Sequence, residues 1–530
     1  MSVPSQPADL AIGSFNEDDP PWVIEPGELA WNVGLDELRA DTRNEVPILM
    51  RRRRVPPLGR FVVTGARLTS ALGRWWLTDR RRGEEVSGAG LSRRLRRAFE
   101  HLGPTYIKLG QIISSGQGVF PDYLVEEFTL CRDKVPPEDF AAIRRVIEEE
   151  LGQTLEAVFS HIDTEPVAAA SIAQVHKATL RTGEPVVVKV QRPQVQKLVR
   201  RDIRAMSWVA PLLIGRIPVT ALANPPALVE VFAETITEEL DFRLEAENML
   251  QIARVLAETD QRILVVPRPH PVLVTRRVLV MERLEGFAFD DVDGVQAAGV
   301  DTVRMLSAAI VAFLEGALFY GVFHGDLHGG NLFIRPDGKI ALLDYGMTGR
   351  LAEHNRLGFV RLLVSAGIND VRGQLVALRD LGALPPDTDL EAVIKDLGLD
   401  KPLQDPTTMS AEDLVGELQR LIKALLGYGA SLPKPLMLFV KNMLFIDGAI
   451  MLHAPEIDLF NEIIGISSYF TEIHGERLAQ EAGIDPAALQ VDLEGLKQSM
   501  GLGDVTELSY RDLQARRDLI RNRFRQSRSR

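Results

Sequence analysis

His-Gly-Asp-Leu-His-Gly-Gly-Asn at residues 324–331, with Asp-Tyr-Gly at residues 344–346, is the most informative part of this sequence. It places the carboxylate of Asp326 between two apolar segments, the amide of Asn331 five residues later, and the carboxylate of Asp344 thirteen residues beyond that amide. Phosphoryl transfer needs a nucleophile oriented for attack and Mg²⁺ held against a polyphosphate. Asp326 can accept the nucleophile's proton, and Asn331 and Asp344 offer the hard oxygen ligands that Mg²⁺ prefers. The spacing therefore predicts a phosphoryl-transfer site.

The alternative for this segment is a polar loop in which His324 and His328 are satisfied core histidines. An isolated Asp-x4-Asn pattern does not separate the two interpretations. A second carboxylate, followed by an aromatic residue and glycine at the end of an apolar strand, favours the functional one.

Composition describes an ordinary globular chain of 530 residues with 45% hydrophobic and 25% charged residues, enough for two or more domains. The single cysteine, Cys131, excludes an intramolecular disulfide framework and a cysteine-based metal cluster, as in a reducing cytosol. The first 32 residues lack the apolar core of a signal peptide. The apolar runs at 306–314 and 436–446 are shorter than the roughly 20 residues that span a bilayer, and Ser307, Lys441 and Asn442 interrupt them. Core helices and a cytoplasmic location are therefore expected.

The net charge of -12 conceals a basic N-terminal region, with arginines crowded at 51–54, 80–82 and 93–97. Apolar residues alternate with these arginines. This pattern predicts, for residues 55–97, a helix that can lie on an anionic membrane surface. A solvated, partly packed helix is the alternative. Nucleic-acid binding is not expected, because no recognition module accompanies the arginines and the rest of the chain is acidic.

Turn residues and apolar periodicity predict the organisation of the chain. Two or three helices are expected between residue 90 and the first strand, with a break at Gly103-Pro104. Strands are expected at 175–180, 185–190 and 278–281, and helical periodicity covers 228–256. The predicted domains are a partly disordered, basic extension at 1–90, a helical element at 91–158, a sheet-rich lobe at 159–286, a helical lobe at 287–470 and a helical, basic tail at 471–530.

Lys189 ends a buried strand pattern, Val-Val-Val-Lys at 186–189, where a lysine is costly without an anionic partner. Glu245, in the acidic helical segment that comes next, is the candidate carboxylate, although an ordinary ion pair is the alternative. The turn formed by Ala168, Ala169, Ala170 and Ser171 stands where a nucleotide-binding lobe would use a glycine-rich loop. Alanine disfavours positive φ, so this turn should be stiffer than a glycine loop, and simple packing is its alternative role.

Six elements follow one another in the order Lys108-Leu-Gly110-Gln111, Ala168-Ala-Ala-Ser171, Val188-Lys189, Glu239-Leu-Asp241, His324-x-Asp326-x4-Asn331 and Asp344-Tyr-Gly346. This order resembles the UbiB family of atypical protein-kinase-like proteins, also called ABC1 or ADCK, which includes coenzyme Q8-type kinases. The resemblance runs from about residue 90 to residue 460. It implies an α+β, bilobal, protein-kinase-like fold with a sheet-rich N-lobe, a helical C-lobe and extra N-terminal helices.

The resemblance also implies roles for individual residues. Asp326, Lys189 and Glu245 match the catalytic positions, and Asn331 and Asp344 match the metal-binding positions. The expected ligands are ATP or ADP with Mg²⁺. The implied nucleotide-binding residues are Ala168, Ala169, Ala170, Ser171, Lys189, Met281, Glu282 and Leu284, the last three in the hinge that meets adenine.

A regulatory element is implied by Lys108 and Gln111, which resemble the family signature that folds over the active site and occludes the peptide-substrate groove. Being three residues apart, they share one helical face. Glu239 and Asp241 match the acidic element that faces that signature. We therefore expect Lys108 to compete for the phosphate region and to restrain self-phosphorylation.

The chain also departs from the family pattern. Family members often have Ala-Asp-Pro-His-Pro-Gly-Asn where residues 325–331 read Gly-Asp-Leu-His-Gly-Gly-Asn. Loss of both prolines should loosen this loop, since glycine costs more backbone entropy to order than proline. Many relatives carry C-terminal membrane helices, which are not expected here, so any membrane contact should be peripheral to the inner face.

The function implied by the resemblance is an atypical kinase or ATPase of isoprenoid-quinone or membrane-lipid metabolism, acting on lipid-associated acceptors rather than proteins. Its expected partners are adenine nucleotide, an anionic or isoprenoid lipid and quinone-biosynthesis enzymes, and an oligomer is compatible with the sequence. A nucleotide-binding scaffold without turnover is one alternative. A small-molecule phosphotransferase of the antibiotic- or choline-kinase kind is another, which the Lys108 to Gln111 signature disfavours.

Overall fold

Two compact units make up the chain, and each has its own hydrophobic core. The computed structural model describes residues 15, 20–25, 27, 29–51, 59–81, 84–114, 121–131, 135–213, 225–399, 420, 424, 427–430, 433–482, 491–499, 502 and 505–528. Unit 1 comprises Met1–Ala257, Val266–Glu285 and Leu342–Met347, and unit 2 comprises Glu258–Val265, Gly286–Ala341 and Thr348–Arg530. Parts of the predicted extension at 1–90, including residues 1–14, 52–58 and 82–83, lie outside the described residues.

The helices of unit 1 precede, interrupt and follow its strands. They are α1 (Leu35–Met50), α2 (Arg60–Thr78), α3 (Glu84–Leu102), α4 (Pro104–Ser114), α5 (Asp122–Thr129), α6 (Phe140–Leu151), α7 (Leu155–Val158), α8 (Val195–Leu213), α9 (Pro225–Glu238) and α10 (Phe242–Glu258). The prediction of two or three helices ahead of the first strand is wrong, because α3 to α7 all lie between residues 84 and 158. Pro121 directly precedes α5 and prolines at 136–137 lie shortly before α6, where a residue without an N–H costs no helical hydrogen bond.

A six-stranded antiparallel sheet forms the centre of unit 1. Its strands are β1 (Phe159–Ile162), β2 (Ala168–Ala169), β3 (Ala173–Leu180), β4 (Pro185–Gln191), β6 (Pro269–Val274) and β7 (Val278–Glu282). Their order is β1-β3-β4-β7-β6, with β2 paired to β3. The three strands predicted from sequence are confirmed as β3, β4 and β7. The β3–β4 turn needs Gly183, whose φ of 107° an L-residue rarely adopts. Valines on one face of β4 pack with apolar residues of α6.

The segment at 228–256 that the sequence marks as helical is two helices. Helix α9 ends at Glu238 and α10 begins at Phe242. Between them, the carboxylate of Asp241 accepts a hydrogen bond from the backbone N–H of Arg243 at 3.2 Å, as an N-cap residue does. The break therefore falls on the acidic Glu-Leu-Asp element.

Helices from the first 90 residues pack into unit 1. On α1, Arg39 binds the carboxylate of Glu247 at 2.5 Å and the side-chain oxygen of Asn248 at 2.8 Å, both on α10. On α2, the hydroxyl of Thr64 lies 2.8 Å from that of Tyr106 on α4. The boundaries proposed between the sequence domains stay predictions, but α1 and α2 belong to the packed structure of unit 1.

Unit 2 is mostly helical and carries short strands that frame its loops. A four-stranded sheet has the order β5 (Leu264–Val265), β11 (Ile340–Leu342), β10 (Leu332–Ile334) and β8 (Phe287–Ala288), while β9 (Val322–His324) pairs with β12 (Thr348–Arg350). Its helices are α11 (Val292–Ala297), α12 (Thr302–Glu315), α13 (Glu353–Gly367), α14 (Val371–Asp380), α15 (Leu390–Leu397), α16 (Lys434–His453), α17 (Leu459–Ala482), α18 (Leu493–Ser499) and α19 (Tyr510–Arg528). A sheet-centred unit and a helical unit confirm the predicted α+β class.

Two helices of unit 2 are longer than the apolar runs counted from sequence. Among the described residues, Thr302–Tyr320 and Leu436–His453 are long and apolar enough to cross a membrane by length and composition. Inside the protein, 56% and 44% of their residues are buried. The expectation that these segments are too short to span a membrane is therefore wrong, because the helices extend beyond the apolar runs. The core helix of a soluble protein can have the same length and composition.

Candidate active site

Strand β4 presents a lysine to two carboxylates. Its three inward valines are fully buried, and Lys189 projects from the opposite face, as the alternation of a strand requires. The ammonium nitrogen of Lys189 lies 2.6 Å from Oε1 of Glu245 and 3.3 Å from Oδ1 of Asp344. Only 11% of the Lys189 side chain is exposed. The structure thus brings together three predicted site residues within unit 1.

The Asp-Tyr-Gly segment contributes backbone groups to the same cluster. The N–H of Tyr345 donates to Oε1 of Glu245 at 3.3 Å, and the N–H of Gly346 donates to Oδ1 of Asp344 at 2.9 Å. Glu245 lies in the first turn of α10, where the helix dipole favours a negative charge. The side chain of Asp344 is 42% exposed and therefore accessible to a ligand from solvent.

The three carboxylates near Lys189 keep it charged. Burial lowers the pKa of Lys189, but the charges of Asp344, Glu245 and Glu239 outweigh burial and raise this pKa above its ordinary value. Burial also raises the pKa of Glu245, and the adjacent ammonium opposes that rise. Lys189 is therefore a permanent cation of the cluster, and Glu245 depends on it to remain ionised.

A second ion pair adjoins this cluster. Nζ of Lys108, on α4, lies 3.0 Å from Oε1 of Glu239, which comes directly after α9, and both side chains are largely buried. A Cβ at Gly346 would lie 3.2 Å from Oδ1 of Asp344 and 3.4 Å from Cγ of Glu239. Gly346 therefore leaves open the position that a Cβ would occupy next to the side chains of Asp344 and Glu239.

Close packing explains why residue 110, in the Lys108 signature, is a glycine. A Cβ at Gly110 would lie 2.9 Å from the ring of Phe128 and 3.0 Å from the sulfur of Cys131. Gln111 lies on the same helix and is half-buried. Glycine thus allows close packing of α4 against α5 and the chain just beyond it, where Cys131 is buried.

The other acidic residue of the predicted regulatory element has a different partner. Both carboxylate oxygens of Asp241 bind the guanidinium of Arg243, at 2.9 and 2.8 Å. Lys108 forms its ion pair with Glu239. Asp241 also caps α10, so it fixes the start of the helix that carries Glu245.

The alanine turn is a short, tightly held connection. Ala168 and Ala169 pair with β3, and the N–H of Ala170 donates to the carbonyl of Ala173 at 2.9 Å. None of the residues from 168 to 171 has positive φ, and Ser171 is buried. The buried Arg192 donates to the carbonyl of Ala170 at 2.9 Å, a contact that no local pattern predicts.

The predicted adenine hinge lies at the end of β7. Met281 and Glu282 are the last two residues of that strand, and Leu284 lies two residues beyond it, all three largely buried. A carboxylate oxygen of Glu282 accepts the N–H of Arg268 at 3.2 Å. Adenine binding by these residues stays a prediction.

The His-Gly-Asp loop lies within unit 2, between β9 and β10. The N–H of Asp326 donates to Nδ1 of His324 at 3.2 Å, and the side-chain nitrogen of Asn331 donates to the carbonyl of Asp326 at 3.2 Å. Nε2 of His328 lies 3.9 Å from Oδ2 of Asp326. We call residues 324–331 the catalytic loop, after the role that the sequence predicts for them.

Two residues of α16 bind the catalytic loop, and sequence reasoning noted them only as interruptions of an apolar run. Lys441 forms an ion pair with Oδ1 of Asp326. The side-chain oxygen of Asn442 accepts the N–H of Leu327 at 3.2 Å, and its nitrogen donates to the carbonyl of His324. The available signal was a lysine and an asparagine side by side in an otherwise apolar helix.

The predicted metal ligands have suitable donor atoms. Asp344 offers a partly exposed carboxylate, and the amide nitrogen of Asn331 faces the loop carbonyl, so its oxygen is the atom suited to a cation. Among the described residues, no three or more His, Cys, Asp or Glu side chains form a metal-binding group. Mg²⁺ in nucleotide-dependent enzymes takes many of its ligands from phosphate and water, so few protein oxygens are needed. Metal binding by Asp344 and by Asn331 stays a prediction.

Comparisons with known proteins place the chain in a family. Residues 130–376 match the ABC1 atypical kinase-like domain. An uncharacterized protein of Mycobacterium tuberculosis is 35% identical over 69% of this chain and 76% of its own length. An uncharacterized chloroplastic aarF domain-containing protein kinase of Arabidopsis thaliana is 32% identical over 76% of this chain and 81% of its own. The probable protein kinase UbiB of Aeromonas hydrophila is 30% identical over 73% and 70%.

These alignments each cover more than two thirds of both chains, and the matched region 130–376 contains the cluster around Lys189 as well as the catalytic loop. They agree with the resemblance identified from the motifs. The chain therefore belongs to the ABC1 (UbiB) family of atypical kinase-like proteins.

Proposed function

We propose that this chain binds Mg-ATP and hydrolyses it or transfers its γ-phosphoryl group, as an atypical kinase or ATPase of membrane-lipid or isoprenoid-quinone metabolism. The observation that carries the proposal is the buried ammonium of Lys189 between Glu245 and Asp344. A lysine fixed by a helix glutamate contacts nucleotide phosphates in kinases, and an Asp-aromatic-Gly carboxylate binds their metal. The partly exposed Asp344 suits that second role.

Within the proposed reaction, the residues of the chain orient groups and move one proton. Bound Mg²⁺ would supply neutralisation of charge on the phosphate oxygens. Asp326 would accept the proton of the attacking hydroxyl or water, and Asn331 would add an oxygen ligand. Lys189 would hold the phosphates, and Glu245 would hold Lys189.

The acceptor that we propose is a small or lipid-associated molecule. The Lys108–Glu239 ion pair supports this, because it keeps the signature helix α4 against the Lys189 cluster, where family members occlude the peptide-substrate groove. The quinone pathway is supported by the UbiB name of one relative.

Peripheral contact with an anionic membrane is proposed for α2. Its outward face exposes 57% of Val62, 57% of Trp76 and 83% of Leu77. The guanidinium of Arg80 lies 3.5 Å from the ring centroid of Trp76, so a cation and an aromatic residue are presented together at the end of the helix.

The test is ADP release from Mg-ATP by the purified chain, with and without anionic vesicles. Asp344→Asn should abolish the release, whereas Asp163→Asn, which alters an equally exposed carboxylate of unit 1, should leave it unchanged. Turnover that vesicles stimulate and that requires Asp344 supports a membrane-coupled ATPase. Turnover of equal rate in the Asp344→Asn variant contradicts the proposal.

A nucleotide-binding scaffold is the second candidate. The observation that favours it is the Lys108–Glu239 pair, which holds a second cation beside Asp344 and would oppose productive phosphate geometry. The scaffold predicts Asp344-dependent nucleotide binding without ADP release under either condition.

A further inference from the structure

Helix α16 reaches the catalytic loop with two adjacent polar side chains. Lys441 is ion-paired with Asp326, and 16% of its side chain is exposed. Asn442 is fully buried and connects two backbone groups of the loop, the N–H of Leu327 and the carbonyl of His324. The two residues therefore hold both the carboxylate and the backbone on either side of it.

These side chains are costly in their surroundings. Helix α16 is otherwise largely apolar from 436 to 453, and a buried amide or ammonium loses its hydration unless it finds partners inside the protein. The side chains of Lys441 and Asn442 both find those partners on one loop, 115 residues or more away in sequence.

We propose that Lys441 and Asn442, here called the 441–442 clamp, are positioning residues for the proposed reaction. Lys441 fixes the direction of the Asp326 carboxylate and balances its charge. Asn442 fixes the peptide groups that flank Asp326. The proposal rests on the proposed function, in which Asp326 accepts the nucleophile's proton.

The composition of the loop explains why it needs restraint from α16. Residues 325, 329 and 330 are glycines, and residue 327 is a leucine. Glycine leaves the loop with more conformational freedom to lose, and proline has no N–H. Leu327, unlike a proline, supplies the N–H that Asn442 binds, so side-chain bonds from α16 restrain a loop that its glycines loosen.

The first measurement needs no turnover. Hydrogen–deuterium exchange of the amides from 322 to 334 is compared in wild type, Lys441→Met and Asn442→Leu. Each variant should exchange about 3- to 10-fold faster in the catalytic loop, the effect of losing a hydrogen bond or an ion pair. Unchanged exchange in the loop of both variants overturns the clamp.

Lys497→Met is the matched control. Lys497 lies in unit 2, has a side chain 10% exposed and pairs with Glu494 at 3.1 Å. It therefore has the same residue type, a similar burial and an ion pair, without a contact to the catalytic loop. Faster loop exchange in this control, equal to that in Lys441→Met, overturns the assignment of the effect to the clamp.

The second measurement is steady-state ADP release at saturating and limiting Mg-ATP. Lys441→Met should lower kcat about 10- to 100-fold with little change in KM, the cost of a misplaced catalytic group. Lys441→Arg, which keeps the charge, should restore most of kcat. Faster loop exchange with an unchanged kcat overturns the positioning role.

Leu327→Pro provides an independent variant if Asn442→Leu does not fold. It removes the N–H that Asn442 binds, so the further change Asn442→Leu should speed loop exchange less in its background than in wild type. A wild-type protein without turnover, in which the variants still loosen the loop, contradicts turnover in the proposed function and supports the clamp as a device that orders the loop.

Discussion

Lys189 shows how one residue joins stability to ligand binding. Its ammonium is surrounded by the carboxylates of Glu245 and Asp344 and lies 5.5 Å from the ring centroid of Phe242. A buried pair contributes little net stability when complete, yet removal of one partner leaves an uncompensated charge. The same residue can therefore be tested for both properties.

Lys189→Met should lower the free energy of unfolding by about 2–4 kcal/mol, because it leaves Glu245 without its cation. The loss of stability is limited because burial raises the pKa of Glu245, so Glu245 can become protonated and neutral once Lys189 is absent. The double variant Lys189→Met/Glu245→Gln should regain part of this stability, but both variants should bind Mg-ADP at least about 10-fold more weakly. Urea denaturation and calorimetric titration measure the two quantities, and wild-type affinity in the double variant would exclude Lys189 as a phosphate ligand.

Lys108 is expected to restrain the site through its pair with Glu239. In Lys108→Arg, the planar guanidinium can bind Glu239 through two donors and is held away from the phosphate region. We expect tighter nucleotide binding and increased self-phosphorylation, measured by titration and by incorporation of labelled phosphate. Lys177→Arg, at an exposed position of β3, is the control. If Lys108→Arg changes neither quantity, Lys108 does not compete for the phosphate region.

At the scale of an element, β6 contains a histidine whose bonds depend on pH. Two backbone N–H groups, of Val272 and Leu273, donate to Nδ1 of His270 at 3.1 Å each. Burial lowers the pKa of His270 to about 4, against the weaker opposite effect of Glu184. Protonation of Nδ1 would remove the acceptor of both bonds.

The folded state should therefore lose stability as pH falls. His270 takes up its proton near the ordinary pKa of 6.5 in the unfolded chain and only near 4 in the folded chain. Its contribution to the free energy of unfolding is therefore fully present above pH 6.5 and is lost as the pH falls towards 4. We expect His270 to contribute about 1–2 kcal/mol to the loss between pH 7 and pH 4.5, after discounting for its partial exposure. His270→Asn, which keeps an acceptor, should reduce this loss relative to wild type in urea denaturation. An equal reduction in His161→Asn, at an exposed histidine, would contradict the assignment.

Helix α2 presents an apolar end to solvent while its other face is packed. Leu68, Ala71 and Trp75 are largely buried, whereas Trp76 and Leu77 are exposed. The double variant Trp76→Ser/Leu77→Ser should keep the packed face and lower binding to anionic vesicles about 10-fold, since each exposed apolar side chain contributes by burial in the interface. Vesicle sedimentation measures this binding, and Val272→Ser, which changes an exposed apolar residue of β6, is the control. Equal sedimentation of the double variant and the control contradicts membrane contact through α2.

Across the whole molecule, local patterns are the features that the sequence predicts best. The strands β3, β4 and β7 arise from apolar runs and turn residues, and the family resemblance arises from the order of six short motifs. The α+β class, which the resemblance implied, is confirmed by the sheet-centred unit and the helical unit.

The rest depends on contacts that periodicity does not encode. The helical pattern at 228–256 hid a break at Glu239, which the capping of α10 by Asp241 explains. Lys441 and Asn442 look like defects in an apolar run until the fold brings α16 to the catalytic loop. Long-range partners of this kind require tertiary structure, since residues that satisfy a buried polar group can come from anywhere in the chain.

Binding of a Mg-nucleotide by the Lys189 cluster of unit 1 is the step on which the proposed function depends. The sharpest experiment is calorimetric titration of ADP with and without Mg²⁺, in wild type, Asp344→Asn and the matched Asp163→Asn. We predict binding that Mg²⁺ strengthens in wild type and Asp163→Asn, and at least about 10-fold weaker binding without Mg²⁺ dependence in Asp344→Asn. Equal, Mg²⁺-dependent binding in all three proteins, or no binding in wild type, would contradict nucleotide binding by this cluster.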